Sequence, residues 1–314
     1  MAQRSSARHG SLQFWPRKRS SKYLPDVNWK IVKSENALNG FIAYKAGMFS
    51  AFAKDNSPNS MTNGKNIAMP VTILECPPMK IYSLRLYKNS LVKDEIVLSS
   101  DKELKKILKL PKETRKLDSV KIEEFDDARI IVYSIVKKTS VKKTPDLVEI
   151  NLSGSLSDKI NFVKENSNKE LTVSNFLKAG DLIDARGLTK GKGLCGPVKR
   201  FGITLKFHKS EKGVRRPGSL GPWHPSRVTF RTPISGQMGL FTRIIYNNKV
   251  LSVGKAQDAP EILKSIKNYG NLKTEYLIVR GSIQGPAKRQ LLLTPPLRPN
   301  RKQTKKSFDL IELR

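Results

Sequence analysis

The stretch KIYSLRLY, residues 80–87, decides the fold class because its side chains alternate in character. One face of an extended chain would carry Tyr82, Leu84 and Leu86, and the other face would carry Ile81, Ser83, Arg85 and Tyr87. Alternation with a period of two is typical of a β-strand that buries one face. The stretch therefore predicts a half-buried strand.

More strands are predicted on both sides of this stretch, where β-branched and apolar residues stand between turn signals. Several short strands separated by turns favour a closed barrel or a sandwich. The predicted segments are 40–44, 69–75, 128–136, 147–152, 182–185, 227–231, 244–253 and 276–281.

Two helices are predicted among the strands. Ser100 and Glu103 have the spacing of a capping box, which predicts a helix over 104–108. Residues 155–165 predict another helix, with Ile160 and Val163 facing inward. The first helix lies between strands, so we interpret its surroundings as an insertion.

The net charge of +32 restricts the partners of this chain. Such self-repulsion is tolerable when a polyanion neutralises it, and nucleic acid is the usual one. An acidic membrane is the alternative, but the densest apolar run, 130–136, is far shorter than a membrane span. The start, MAQRSSARHG, has no apolar core and does not resemble a secretory signal. Nucleic acid is therefore the expected partner, and membrane binding is not expected.

The positive charge is unevenly distributed. Residues 1–33 hold eight basic residues and one acid, residues 187–222 hold nine and one, and residues 280–306 hold eight and none. Residues 92–127, by contrast, hold nine basic and ten acidic residues, as an ordinary solvated surface does. The three one-sided stretches are the ones expected to contact RNA.

Residues 187–226, GLTKGKGLCGPVKRFGITLKFHKSEKGVRRPGSLGPWHPS, are too rich in glycine to bury themselves. A loop of this length is normally functional or disordered. Phe201, Phe207 and Trp223 suit stacking on bases, and cations between the glycines suit phosphates. We interpret the stretch as a finger threaded into folded RNA; a mobile loop is the alternative. The cations are Lys190, Lys192, Lys199, Arg200, Lys206, Arg215 and Arg216.

No motif in the chain predicts catalysis, a cofactor or a metal. GKGLCG at 191–196 matches G-x-G-x-x-G, but Pro197 follows at once and no strand–helix context is predicted, so we interpret the match as chance. Cys76 and Cys195 form no CxxC pair. The histidines, which all lie in basic segments, are His9, His208 and His224.

Five ordered motifs resemble the family of the universal third protein of the large ribosomal subunit. The first and fourth are similar to the archaeal and eukaryotic branch, and the chain length favours an archaeal source. The resemblance runs from about residue 8 to the C-terminus and is weakest in 54–68 and 88–175. The motifs are RHGSLQFWPRKRS at 8–20, GFIAYKAGM at 40–48, KGKGLCGPVKRFG at 190–202, GSLGPWHPSRV at 218–228 and SGQMG at 235–239.

The resemblance implies a mainly β fold with α insertions: a translation-factor-type β-barrel with long RNA-penetrating extensions. The implied parts are a basic N-terminal extension at 1–35, a first barrel part at 36–186 with a helical insertion at about 92–127, a central RNA-binding finger at 187–245 with its tip near 221–225, and barrel completion with a basic C-terminal segment at 246–314.

The resemblance also implies a function. The protein would be a structural constituent of the large subunit that binds rRNA, supports early assembly and reaches toward the peptidyl transferase centre. It would lie in the cytoplasmic ribosome beside neighbouring large-subunit proteins, with no small-molecule substrate. The expected rRNA-binding residues are Arg8, His9, Trp15, Arg17, Lys18, Arg19, Lys190, Lys192, Lys199, Arg200, Lys206, Arg215, Arg216, Trp223, His224, Arg227, Arg231, Arg243, Lys288 and Arg289.

Two other classes of protein compete with this interpretation. A free-standing RNA chaperone or chromatin-type protein would use the same basic surface. A long glycine-rich finger, however, would serve no purpose on the surface of a duplex. An RNA-modifying enzyme would need a cofactor pocket or a placed general base, and the sequence predicts neither.

Overall fold

The protein is described by a computed structural model, which describes residues 8–314 except 33, 35, 113, 114, 116, 118–123 and 140. The described chain is mainly β, as predicted. It divides into two compact units. Unit 1 comprises residues 1–23 and 188–242, and unit 2 comprises residues 24–187 and 243–314.

The regular elements of the described chain are short helices and strands of two to fifteen residues. The helices are α1 Leu156–Asn166, α2 Pro197–Phe201, α3 Glu261–Lys264 and α4 Arg301–Thr304. The strands are β1 Phe41–Asp55, β2 Asn66–Cys76, β3 Met79–Lys88, β4 Leu91–Val97, β5 Asp127–Ser134, β6 Leu147–Asn151, β7 Leu182–Leu188, β8 Leu194–Cys195, β9 Gly236–Gln237, β10 Thr242–Gly254, β11 Glu275–Arg280, β12 Gln290–Thr294 and β13 Phe308–Leu313.

The larger sheet of unit 2 closes on itself. Its strand order is β12-β7-β10-β11-β2-β1, and β12 also pairs with β1. The long β1 makes this possible, because its first residues pair with β12, Phe41 opposite Leu293, while its last residues pair with β13. Six strands thus form a ring, and β13 extends it at β1.

The second sheet of unit 2 has the order β4-β3-β5-β6. The alternation predicted for residues 80–87 is confirmed in β3 only from Ser83 onward, where Leu84 and Leu86 are fully buried in the main core. It is wrong at the start of the stretch, because a register shift between Ile81 and Ser83 places Ile81 in the same core as the leucines and Tyr82 in the cluster on the opposite face. That core also contains Phe41 of β1 and Leu292 of β12. The inner face of this sheet therefore packs against the strand ring.

The outer face of the second sheet carries an ion-pair network. Arg85 and Arg129 stand opposite each other on β3 and β5. The Glu149 carboxylate accepts hydrogen bonds from both, at 3.1 and 3.0 Å, and from the Tyr87 hydroxyl at 2.8 Å. Arg85 also pairs with Glu95 at 2.9 Å. These carboxylates are thus used inside unit 2.

The predicted helix at 155–165 is confirmed as α1. Ser155 caps it, and the Ser155 hydroxyl and the Asp158 carboxylate form a reciprocal capping box. Ile160 and Val163 are buried as predicted, in the main core.

The predicted helix after Ser100 is wrong. Within the predicted segment 104–108, the structure has only a 3-10 turn at Leu104–Lys106, and its cap, Glu103, makes no side-chain capping bond. The Asp101 carboxylate instead accepts a bond from the Tyr133 hydroxyl, and Leu104 is buried against the outer face of the second sheet. Tertiary contacts thus override the local capping signal. The block 92–127 also begins in strand β4, and several of its later residues lie outside those described.

The strand predicted at 227–231 is also wrong, because these residues are exposed and make turns. The Thr232 amide donates to the Thr229 carbonyl at 3.1 Å. Sequence reasoning missed β4, β12 and β13 altogether. The buried run Leu291–Leu293 of β12 lies inside the basic stretch 280–306, so this part of the stretch belongs to the core.

Candidate nucleic-acid interface

Unit 1 carries a strongly one-sided charge. It contains 17 Lys and Arg residues and one acid, Glu211, which is +16 of the total +32. It comprises only 78 of the 314 residues. Its surface therefore attracts polyanions far more strongly per residue than the rest of the chain does.

A small cluster centred on Phe201 organises unit 1. Phe201 ends helix α2 and is only 8% exposed. Its ring lies 6.1 Å from that of Trp15 and 4.2 Å from the guanidinium of Arg17, both in the N-terminal arm. Trp15 also makes an edge-on contact with Phe230 at 5.5 Å. The cluster joins the N-terminal arm to the central segment without a conventional apolar core.

Two arginines brace this cluster through backbone carbonyls. Arg17 Nη1 donates to the carbonyl of Arg200 at 2.7 Å. Arg200 donates through Nε to Gln237 at 3.0 Å and through Nη1 to Ile234 at 3.1 Å. Burial lowers the pKa of both guanidinium groups below the ordinary arginine value. Both side chains thus have internal partners, and their contact with RNA stays a prediction.

The GKGLCG segment has a structural role in unit 1. Leu194 and Cys195 pair as β8 with β9. Strand β7 ends at Leu188, before the motif, and a five-residue helix begins at Pro197, so the expectation that the motif has no strand–helix context is wrong. Proline suits the first helical position because its missing N–H would be unpaired there anyway. Gly239 has φ +78°, and a Cβ there would lie 2.0 Å from the Lys190 carbonyl oxygen. The motif therefore contributes one strand to a small two-stranded sheet, beside which the chain at Gly239 lies close to the backbone of Lys190.

Most of the predicted cations of unit 1 project into solvent, where phosphates can reach them. His9, Trp15, Arg17 and Arg200 are half-buried. The exposed predicted residues of unit 1 are Arg8, Lys18, Arg19, Lys190, Lys192, Lys199, Lys206, Arg215, Arg216, Trp223, His224, Arg227 and Arg231.

Exposed aromatic rings accompany these cations. Trp223 is 88% exposed, Phe207 68% and Phe230 63%. Sequence reasoning named Trp223 and Phe207 but missed Phe230, and it named Phe201, which the cluster buries. An exposed aromatic ring in a cationic segment can stack on an unpaired base.

The three predicted rRNA-binding residues of unit 2 are Arg243, Lys288 and Arg289. Each is hydrogen-bonded through its backbone to one of two residues, buried Lys45 or Gln284. Lys45 is 7% exposed and donates through Nζ to the carbonyls of Ile283 and Gly285. Its backbone bonds to those of Lys288 and Arg289, while Gln284 donates to the Arg243 carbonyl at 3.2 Å. Lys288 is exposed and the two arginines are half-buried. No pattern in the sequence marks Lys45, which looks like any other surface lysine.

Within the part of the chain that the structure describes, His, Cys, Asp and Glu side chains form no group suited to a metal ion. None of the described helices has the length and apolar character needed to cross a membrane.

A β-rich unit joined to a cationic unit with exposed aromatic rings is typical of proteins that bind folded RNA. The comparisons agree. The family described as "Ribosomal protein L3" matches residues 1–94 and 99–312. Three relatives carry the name "Large ribosomal subunit protein uL3". The protein of Methanocaldococcus jannaschii is 38% identical over 93% of this chain and 91% of its own length. That of Methanococcus vannielii has the same three values, and that of Methanobrevibacter smithii is 35% identical over 96% and 95%. The chain belongs to the ribosomal protein L3 family and is of the archaeal type.

Proposed function

We propose that this chain is a structural constituent of the large ribosomal subunit in the cytoplasm and that it binds large-subunit rRNA. The family is a structural component of the ribosome and not an enzyme. The observation that carries the proposal is unit 1, whose sequence has 17 basic residues and one acid and whose described residues are held together by backbone bonds and a few rings. The phosphates of RNA neutralise the positive charge of such a unit.

The ring of six strands in unit 2 supports a barrel of the translation-factor type, held at the subunit surface among neighbouring large-subunit proteins. Unit 1 is the part that enters the RNA and supports early assembly. Its second segment, 188–242, corresponds closely to the predicted finger at 187–245. Its first segment, 1–23, is shorter than the predicted extension at 1–35, because Leu24, Trp29 and Val32 are buried in the core of unit 2. The predicted tip, 221–225, is exposed at every residue, which suits a loop apex.

The predicted rRNA-binding residues divide into two roles. The exposed cations of unit 1 bind phosphates, together with Lys288 on unit 2. Trp223 and His224 reach toward the peptidyl transferase centre. Arg17 and Arg200 hold the scaffold of unit 1 together. They contact RNA only through the guanidinium N–H groups that do not donate to backbone carbonyls within unit 1.

Sedimentation tests the proposal. Tagged chain should travel with intact large subunits in equal numbers and stay there through a high-salt wash. A free-standing RNA chaperone, the competing function, would wash off and spread over many RNAs. A double variant, Arg215→Gln with Arg216→Gln, should weaken incorporation more than Lys105→Gln with Lys106→Gln in the charge-balanced block. Equal behaviour of the two pairs would count against unit 1 as the RNA-binding part.

A further inference from the structure

We propose that unit 2 has its own RNA site, a pocket that takes one unstacked nucleotide beside a cationic segment. The site rests on the proposed function, since it supposes that the chain lies against rRNA. It is separate in sequence from unit 1, because the pocket is lined by Ser34, by Asn36 and by residues from 174–182 and 295–304. Of the cations near it, Lys178 lines it directly.

The cationic segment is residues 298–306. It holds Arg298, Arg301, Lys302, Lys305 and Lys306 and no acid. Four of the five side chains are exposed, and Lys306 is half-buried. None of the five forms an ion pair with a described residue, in contrast to the paired cations on the second sheet of the same unit. Their charge is available to a phosphate backbone.

The segment is held in place rather than free. Asn247 of β10 donates to the Arg298 carbonyl at 3.0 Å and accepts from the Asn300 amide at 3.3 Å. Buried Lys249 donates to the Thr304 carbonyl at 3.2 Å. Three backbone positions are thus fixed to one strand, which lowers the conformational entropy that binding would otherwise cost.

The pocket beside this segment has the size and chemistry for a base. Its volume is about 570 Å³, within the range of small-ligand sites. Pro296 and Pro299 give it apolar surface, and Pro299 follows Arg298 directly. Ser174 and Asn175 are exposed, and their side chains have no hydrogen-bond partner among the described residues. Single-stranded bases are recognised by such a combination of flat contact and edge hydrogen bonds.

One lining group opposes an anion. The Asp181 carboxylate lines the pocket, but its Oδ2 accepts the Lys178 amide at 2.8 Å. We therefore assign the pocket itself to the base, which is uncharged, and the phosphates to the cations of segment 298–306. An acidic protein segment would suit the cations but would bring its carboxylates toward Asp181.

The test compares two triple variants of the full chain binding to purified large-subunit rRNA over a range of KCl concentrations. The site variant is Arg298→Gln, Arg301→Gln and Lys302→Gln. The control is Lys102→Gln, Lys105→Gln and Lys106→Gln, which removes the same charge from exposed positions elsewhere in unit 2. Each lost single-strand phosphate contact lowers the slope of log affinity against log salt by about 0.7. The site variant should therefore lose up to about 2 from the slope, while the control stays near wild type.

Equal losses of salt slope in the two variants would overturn the site, because they would show that only the total positive charge of unit 2 attracts the RNA. Ultraviolet crosslinking of the bound wild type should attach a nucleotide to a peptide within 174–182 or 295–304; adducts confined to unit 1 would overturn the pocket. Polyglutamate that binds wild type but not the site variant, with RNA binding unchanged, would assign the surface to an acidic protein and also overturn it. Wild type that binds rRNA without any salt dependence would instead refute the proposed function itself.

Discussion

Replacing Arg17 by lysine separates bracing from RNA binding, because lysine keeps the charge but loses the planar fork of donors. In unit 1 the Arg17 guanidinium donates to the Arg200 carbonyl at 2.7 Å while it covers the Phe201 ring at 4.2 Å. A lysine ammonium cannot hold both positions equally well. We expect Arg17→Lys to loosen unit 1 and to leave the salt dependence of RNA binding unchanged.

The size of this effect follows from the two contacts. A hydrogen bond from a charged donor contributes about 1.5–3 kcal/mol, and a cation over a partly exposed ring about 0.5–1 kcal/mol. Lysine recovers part of each, so the free energy of local opening should fall by about 1–2 kcal/mol. Amide exchange in unit 1 should then be roughly 5- to 30-fold faster, since 1.4 kcal/mol is a factor of ten.

Hydrogen exchange of the free protein measures this opening. The informative amides are those of Lys192, bonded to the Met238 carbonyl, and Gly202, bonded to the Val198 carbonyl, both at 2.9 Å. Arg19→Lys, at an exposed position, is the matched control and should change neither amide.

A second variant approaches the same contact from the other side. Gly10 has φ +78°, and a Cβ there would lie 2.4 Å from Arg17 Nη2, so Gly10→Ala should reproduce the Arg17→Lys effect. Wild-type exchange in both variants would refute the bracing role. A shallower salt slope in Arg17→Lys would show that the guanidinium contacts phosphate.

Three further outcomes are expected. Trp223→Ala should leave the stability of the free protein unchanged, because the ring is 88% exposed, but it should alter peptide-bond formation by purified subunits through a lost stacking contact of about 1–3 kcal/mol. Glu149→Gln should lower the free energy of unfolding by about 1–3 kcal/mol in denaturant titrations, because two arginines lose their shared carboxylate, whereas the exposed Glu312→Gln should cost less than about 1 kcal/mol. Burial and the hydrogen bond to Glu149 raise the pKa of Tyr87 to about 12, above the value of about 10 in an unfolded chain. The stabilisation by this group is complete below about pH 10 and is lost as the pH rises through about 12, so melting temperatures should fall less steeply over that range in Tyr87→Phe than in wild type.

Local pattern predicted the strands that bury one face and failed where context decides. β3 was predictable because Leu84 and Leu86 alternate with polar residues. β12 was not, because its three buried leucines are flanked by the cations Lys288 and Arg289, which made the segment look like RNA contact. β13 was not either, because it pairs with β1 across more than 250 residues and carries two acids.

Composition predicted the cationic character of unit 1 but not the division of labour among its arginines. Arg17 and Arg200 are 183 residues apart, and the groups they bind are backbone carbonyls, which every residue has. No residue type in the sequence marks such a partner. Only the folded chain distinguishes an arginine that holds the scaffold from one that faces solvent.

This division of labour links the stability of unit 1 to its partner. The scaffold is small, with Phe201 at its centre, and it must hold together a net charge of +16. Self-repulsion opposes the compact form, whereas RNA that neutralises the exposed cations removes that repulsion and binds the folded form preferentially. The braces need only keep the free unit close enough to its final shape for the first contacts to form. On the proposed function, we expect each bound phosphate to stabilise the cluster that presents the next cation, which would couple the folding of unit 1 to RNA binding.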